Sequence, residues 1–490
     1  MSKARMRIMA AATVAVLVLS GGQVFAKDWY VLYDSGADDD EEPSASPADE
    51  DATPAQDAVS KPRYKFSFGS YGRIQFTSDF DGGMGKDADV VSHGSRLEEA
   101  PYLELHLYND IEASHADFNL VISMALFDLE NLFHYSGETS SVTFAVRNLY
   151  MEANDIYETG AFLWVGSRMY RGDDIYLLDF WPMDNLNTYG GGAGWRNERF
   201  DVSWQVGVNR LKNDYQLQEV EVPGRGFGAE TITTLDRQRV ITSLGFTHKF
   251  FNLSGELGLK YKLYGEFHYL PDGTRQLEDN TAEFLPEDYG YTLGAQAGLW
   301  GFGRNSFVNL FLKYGRGLAA YNELAVPYGV DLEKKTTGAS SLLFGFSGNY
   351  EYKMFGILFG GYLQRWLDAM PQQYDLYDYA DLILVTRPMV FIGDHFRLAG
   401  EVSFQRRESP GTQDIIGTSS VPTMVKISLV PGFALQPGSL SRPEIRLIYT
   451  LACLNEGARY LYPQGDKRRD KTVQHFLGLG VEWWFNAYGY

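Results

Sequence analysis

The chain has 490 residues, a formal charge of −20, 15% aromatic residues, 51 Gly and one Cys. A single cysteine excludes an internal disulfide framework, and a strongly acidic balance disfavours nucleic-acid binding, which needs a basic face to replace phosphate counterions. The mildly polar average argues against a bundle of spanning helices but not against a transmembrane barrel, whose strands are apolar on one face only.

In chain order, Lys3, Arg5 and Arg7 precede the apolar stretch Ile8 to Leu19, and Val24-Phe25-Ala26 offers small residues at both specificity positions of a cleavage site. This reads as a secretory signal peptide over 1–26; its apolar core is shorter than the roughly 20 residues a spanning helix requires. Residues 27–62 follow as an acidic, Pro-containing linker with runs at Asp38-Asp39-Asp40-Glu41-Glu42 and Asp49-Glu50-Asp51. Nothing in it can bury a core, so it is expected to be a disordered spacer.

From 63 to 490 the texture is uniform. In Tyr102-Leu103-Glu104-Leu105-His106-Leu107-Tyr108 three leucines share one face, and Tyr, Glu, His and Tyr share the other. Phe66 to Phe76 and Phe118 to Leu126 alternate in the same way. Period two marks strands with one oily face. The segments match the roughly 9–11 residues of a tilted membrane-spanning strand rather than the 5–6 of an average soluble one. The length accommodates an even number of about 16–18 strands, and 18 is the expectation. Parity puts Tyr71 and Arg73, and Tyr102 and Glu104, on the wet side. Arg147 and Arg168 are placed inside because an Arg facing lipid at the midplane costs about 2–4 kcal/mol. The last segment, Phe476 to Phe485, has Leu477, Leu479, Val481, Trp483 and Phe485 on one face and Phe476, Gly478, Gly480, Glu482 and Trp484 on the other. An aromatic-ended terminal strand suits a barrel with an interfacial girdle.

The segment Trp164-Val-Gly-Ser-Arg168-Met-Tyr170, followed by Asp174-Ile-Tyr-Leu-Leu-Asp179-Phe-Trp181 and the run Gly190 to Gly194, resembles the maltoporin family of sugar-specific outer-membrane porins. So do Gly69-Ser-Tyr71-Gly-Arg73, Arg96-Leu97 with Tyr102-Leu-Glu104, and Arg442-Pro-Glu-Ile-Arg446. The likeness is strongest over 66–195, 424–450 and the C-terminus; 200–420 carries no matched motif. The resemblance implies an all-β antiparallel barrel with one loop, about 171–190, folded inward to narrow the pore. It implies a homotrimer in the outer membrane of a Gram-negative-type cell, in contact with lipid, passing a sugar or oligosaccharide by facilitated diffusion. By motif match, Tyr71, Tyr102 and Trp484 correspond to an aromatic slide. Arg73, Arg96, Glu104, Arg147, Asp174 and Asp179 correspond to an ionic track, and Trp181 to the ring that narrows the constriction.

Other readings stay open. The tyrosines could fill space, the charges could pair with one another and stiffen the wall, and the protein would then be a general diffusion porin. This chain also departs from the family pattern. Cys453 is alone where the family often bridges its first long loop, Leu440 stands in the place of a slide Trp, and Gly172 replaces a track Arg with Arg171 beside it.

An enzyme is not expected, nor a cofactor or metal. His93, His106, His115, His134, His248, His268, His395 and His475 form no H-E-x-x-H pattern, and no G-x-S-x-G elbow occurs. Gly224 to Gly228 reads as a hairpin tip rather than a phosphate cradle, and an open lumen offers no dry pocket to raise a general acid's pKa.

Overall fold

The computed structural model describes residues 62–127, 142–213, 215–224, 226, 228–251, 257–370 and 378–487. The expected leader and the acidic segment up to residue 61 lie outside them.

The strands are β1 (Arg63–Ser78), β2 (Tyr102–Ala113), β3 (Ala116–Phe127), β4 (Thr143–Ile156), β5 (Ala161–Arg171), β6 (Asn185–Arg196), β7 (Phe200–Asn209), β8 (Leu217–Pro223), β9 (Ala229–Asp236), β10 (Arg239–Phe251), β11 (Gly258–Leu270), β12 (Gly273–Gln276), β13 (Ala282–Leu285), β14 (Asp288–Trp300), β15 (Arg304–Gly317), β16 (Ser340–Tyr352), β17 (Phe355–Leu367), β18 (Tyr379–Ile392), β19 (Phe396–Glu408), β20 (Thr423–Ala434), β21 (Glu444–Leu454) and β22 (Val473–Phe485). Two pairs, β8–β9 and β12–β13, are separate hairpins in long connections, and past β8 Gly224 N donates to Gly228 O at 3.0 Å. The other 18 strands form one antiparallel sheet that closes on itself where β1 pairs with β22.

The closing seam is specific. Tyr71 lies opposite Trp484 and Arg73 opposite Glu482. On the outer face the Trp483 indole donates to Ser70 Oγ at 3.0 Å. It lies over Gly72, where a Cβ would come within 2.2 Å of the ring. A barrel has no free edges, so every strand's backbone groups find partners within the sheet, which is what hydrocarbon demands.

The alternation read from the sequence holds around the wall. On β15, Leu310 and Leu312 are 46% and 51% exposed while Phe311 between them is 1% exposed. On β2, Glu104 and His106 are buried, and Leu103, Leu105 and Leu107 point the other way. On β22, Leu479 faces out and Glu482 faces in. Exposed aromatics such as Phe251, Tyr352, Phe355, Phe396 and Phe485 gather at strand ends, as membrane-interface girdles do.

Strand β4 breaks the alternation. Val146 and Leu149 of β4 both face outward, a spacing of three that period two forbids. A bulge resolves it: Ser123 of β3 faces Asn148 and the next residue, Met124, faces Val146, leaving Arg147 unpaired. Arg147 and Asn148 can then both turn inward, the re-aiming a bulge permits.

Connections at one end are short, such as 114–115, 301–303 and 353–354; those at the other end are long. The long connection 79–101 folds into the lumen and is latched to the wall of β17–β20. Val90 N donates to Gln405 Oε1 at 3.0 Å, Ser92 N to Asp381 Oδ2 at 2.9 Å and His93 N to Tyr362 Oη at 3.0 Å. Lys426 bridges Asp89 and Glu98 at 2.8 and 2.7 Å. The connection 172–184 also folds inward. Its Ile175, Leu177, Leu178, Phe180 and Met183 bury themselves against Phe311, Leu343, Leu358, Tyr362 and Ile383 of the far wall. The inward segment ends at Asp184 rather than 190, because 185–190 already belongs to β6, where Tyr189 is 69% exposed on the outer face. At the short-turn end, 435–443 is also drawn inward, held by Ser439 N on Glu351 and by Arg397 on the Gly438 carbonyl.

Candidate functional site

The constriction is built by these three inward segments meeting the wall of β1, β2, β21 and β22. Within 172–184, Ile175 and Phe180 form an isolated antiparallel bridge, with Ile175 N donating to Phe180 O at 2.7 Å. The turn between them ends at Asp179, whose φ of 48° is left-handed, a conformation Asp tolerates better than bulkier residues do. Two ion pairs tether the flanks to β11: Lys260 with Asp173 at 2.7 Å, and Lys262 with Asp184. Gly172 has no room for the side chain that the family pattern places there, since a Cβ would lie 1.9 Å from the Asp184 carboxylate. Arg171 takes up the charge instead. Its guanidinium stacks 3.7 Å from the Trp181 ring centroid, and its Nε donates to Asn185.

Of the expected slide rings, Tyr71 and Tyr102 are neighbours, with centroids 5.8 Å apart. Trp484 faces inward and meets Tyr176 of the constriction loop edge-on at 6.0 Å. Tyr71 is fully buried, and its hydroxyl accepts from Arg73 and from Arg96, both at 2.7 Å. Arg442, from the inner-mouth turn, lies 4.5 Å over the Trp484 ring.

The expected track residues fall into two groups. Arg73 and Arg96 converge on Asp179 at 3.5 and 4.0 Å, and Arg73 also pairs with Glu99 at 2.9 Å. Glu104 receives the Tyr102 hydroxyl and faces the Arg147 guanidinium at 3.6 Å. Arg147 donates to Met169 Sδ as well. Asp174 stands apart: its backbone carbonyl accepts from Ser347, but its carboxylate has no ion-pair partner within 4 Å among the described residues. Burial pushes the Asp174 carboxyl up to about 7; Arg96 opposes this, and Asp179 and Asp173 add to it. Cation selectivity of the pore should therefore fall as the bath is taken from about pH 8 to pH 6 and this carboxylate gains a proton. Reversal potentials in a salt gradient measure it, and Asp174→Asn should reduce the step, with Glu99 and Glu323, which burial also raises to about 7, supplying the remainder.

The centre of the network is a residue that sequence reasoning had placed on the inward stripe without singling it out. Glu482 accepts Arg96 at 2.8 Å, Arg442 at 2.7 Å and Arg446 at 2.8 Å. None of the four side chains is more than 6% exposed. The cost argument applied to Arg147 would have flagged it, since an inward Glu amid Gly and Phe needs cationic partners. Tyr176 was missed as well. Its ring lies 4.4 Å from the Arg96 guanidinium, and its hydroxyl receives Arg442. The loop from one mouth and the turn from the other thus touch at mid-barrel. Arg168 faces inward as expected, paired with Glu152 and lying 4.5 Å over Tyr150.

Open space remains beside the stacked Arg171–Trp181 pair. A cavity of about 220 Å³ runs along Glu104, His106, Tyr150, Arg168, Lys262 and their neighbours. A second, of about 530 Å³, lies against Phe180, Trp181, Lys313, Tyr328 and Trp366. Arg171 lines both.

Among solved structures, the chain is similar to OccAB2 of Acinetobacter baumannii, with 11% identity, a TM-score of 0.42 and coverage of 86% of this chain and 98% of that one. It is similar to OprD of Pseudomonas aeruginosa, with 10% identity, a TM-score of 0.41 and coverage of 86% and 93%. For OmpT of Vibrio cholerae the values are 10% identity, a TM-score of 0.38, and coverage of 87% and 100%. The family model described as LamB porin matches residues 66–485, from the first barrel strand to the last and across the 200–420 stretch that carried no recognised motif. A closed barrel of 18 antiparallel strands, narrowed by an inward loop and matched over that whole length, belongs to the LamB porin family, the maltoporins: the protein is a porin channel of the Gram-negative outer membrane.

Proposed function

We propose that this porin passes sugars and oligosaccharides, of maltodextrin type or related, down their gradient by facilitated diffusion. The observation that carries the reading is the pairing of rings with charges of both signs along the lumen. Trp181 lies under Arg171, and Tyr102 lies beside Glu104 and Arg147. A sugar's C–H faces stack on rings and its hydroxyl rim needs donors and acceptors, while passage requires that each contact stay weak. Millimolar binding amounts to only about −4 kcal/mol. A few ring contacts of about 1 kcal/mol each, plus shared hydroxyl bonds, reach it.

In this reading Tyr71, Arg73, Arg96 and Asp179 fix the constriction loop, and Tyr102, Glu104, Arg147, Trp181 and Trp484 border the path. The family resemblance supports a homotrimer. The basic start, the apolar stretch and the small residues around Ala26 support an exported chain that loses residues 1–26, with the acidic stretch as a spacer before the barrel.

A general diffusion porin is the second reading. It is favoured by the mutual pairing of the track charges, which leaves Arg96 and Glu482 few free groups for hydroxyls. Planar-bilayer recording separates the two. Maltose, maltodextrins or sucrose at millimolar to roughly tens of millimolar concentrations should reduce ion current. Current indifferent to every sugar establishes the general porin instead.

A further inference from the structure

The rings matched by motif to the slide offer little free surface. Tyr71 is 0% exposed, and Arg73 lies over both it and Tyr102, at 6.0 and 5.4 Å. One face of Trp484 is taken by Arg442 at 4.5 Å. Further apolar contact for a permeating sugar is available in the cavity of about 530 Å³ beside Trp181. That volume falls within the ~300–1,000 Å³ of small-molecule sites.

The cavity's aromatic wall comes from a connection folded over the barrel mouth. Arg239 holds the connection down by donating to the Leu318 and Tyr321 carbonyls at 2.7 and 3.0 Å. This places Tyr328, 39% exposed, against Trp366 at 5.2 Å. The Trp366 indole is committed to the Ala320 carbonyl at 3.3 Å, so Trp366 serves as a fixed base and Tyr328 as the ring that faces the space.

The polar lining is of mixed sign. Lys313 reaches the cavity with no carboxylate within 4 Å among the described residues. Asp179, Glu266 and Glu323 face the same space, and Gln364 donates to Ser341 Oγ at 3.1 Å while its amide oxygen accepts from no group among the described residues. Donors and acceptors beside a ring suit a hydroxyl rim, and charges of both signs, Arg171 and Lys313 with Asp179, Glu266 and Glu323, fit a neutral ligand that carries both donors and acceptors. Arg171 also lines the next cavity, so a ligand held here is already at the narrowing.

We propose that this chamber is a second sugar-docking subsite, on the wall opposite the motif-matched slide. It would take one or two neutral pyranose rings, stacked on Tyr328 and hydrogen-bonded by Lys313 and Gln364. The proposal rests on the sugar-channel reading above and specifies where the sugar is first held.

The test is blockade of single-channel current by maltose or sucrose added on the long-loop side, with folding of each variant verified by its heat-dependent electrophoretic mobility. In Tyr328→Ala the half-blocking concentration should rise about fivefold, the loss of one ring contact, and in Tyr328→Phe it should not. If Tyr328→Ala fails to fold, Lys313→Met is read in its place and should also weaken blockade. Equal blockade in wild type and in the folded variant read overturns the subsite while leaving the sugar channel intact. A loss shared by Tyr328→Phe overturns the stacking contact. A wild-type channel that no sugar blocks overturns the sugar reading and the subsite with it.

Discussion

Single-channel conductance rises in Trp181→Ala well beyond channel-to-channel scatter. Trp181 is 5% exposed, lines the cavity of about 530 Å³ and carries on its ring Arg171, which borders that cavity and the next. Truncating it widens that cavity and releases the guanidinium from its cation–π partner, a contact worth about 2 kcal/mol when desolvated. Loss of a buried indole costs about 3–5 kcal/mol. The cost falls on the anchoring of the 172–184 segment and not on the strand ladders, so the barrel should still assemble. Conductance unchanged from the parent would mean that the narrowing lies elsewhere.

Glu482→Ala has the larger effect on stability. It strips a shared carboxylate from Arg96, Arg442 and Arg446 and leaves three buried guanidinium groups competing for Asp179 and Glu444. Breaking a buried ion pair by removing one partner costs about 3–5 kcal/mol. Denaturant unfolding of the detergent-solubilised protein should show a lower midpoint with little change in slope. The same substitution loosens both segments that meet at Tyr176, so the folded fraction should give noisier open-channel current. A midpoint equal to wild type would show that the cluster contributes nothing net, as some buried ion pairs do.

How much of this was legible follows from what period two can encode. It reports which face a residue occupies, so the wet side of β2 and β22 and the oily side of β3 were readable residue by residue. Arg147 was readable only by cost: strict alternation from Leu149 points it outward, and the bulge opposite Ser123 is what brings it in. The hairpin tip at Gly224 was readable because turn chemistry is local. What lies above an inward residue is not local. Tyr71 was correctly placed inside, but its burial depends on Arg96, which arrives from a connection with no periodicity. The latch of that connection onto Gln405, Asp381 and Lys426 joins residues about three hundred positions apart. The inward extent of 172–184 was overestimated because the Gly-rich run looks like loop by composition. Once paired with β5 and β7, it is strand.

The seam between β1 and β22 also constrains how this molecule comes into being. Ser70 and Trp483 are 413 positions apart, yet they hydrogen-bond across the closing ladder. Neighbouring hairpins can zip as soon as they are made, but the ring cannot be sealed until the final strand exists. Loop-closure entropy and high contact order both make that last step slow. The chain must therefore wait, unsealed and with the backbone donors and acceptors of two strand edges unpaired, until β22 arrives. Any truncation that removes β22 would leave an open ribbon that self-associates, not a smaller pore.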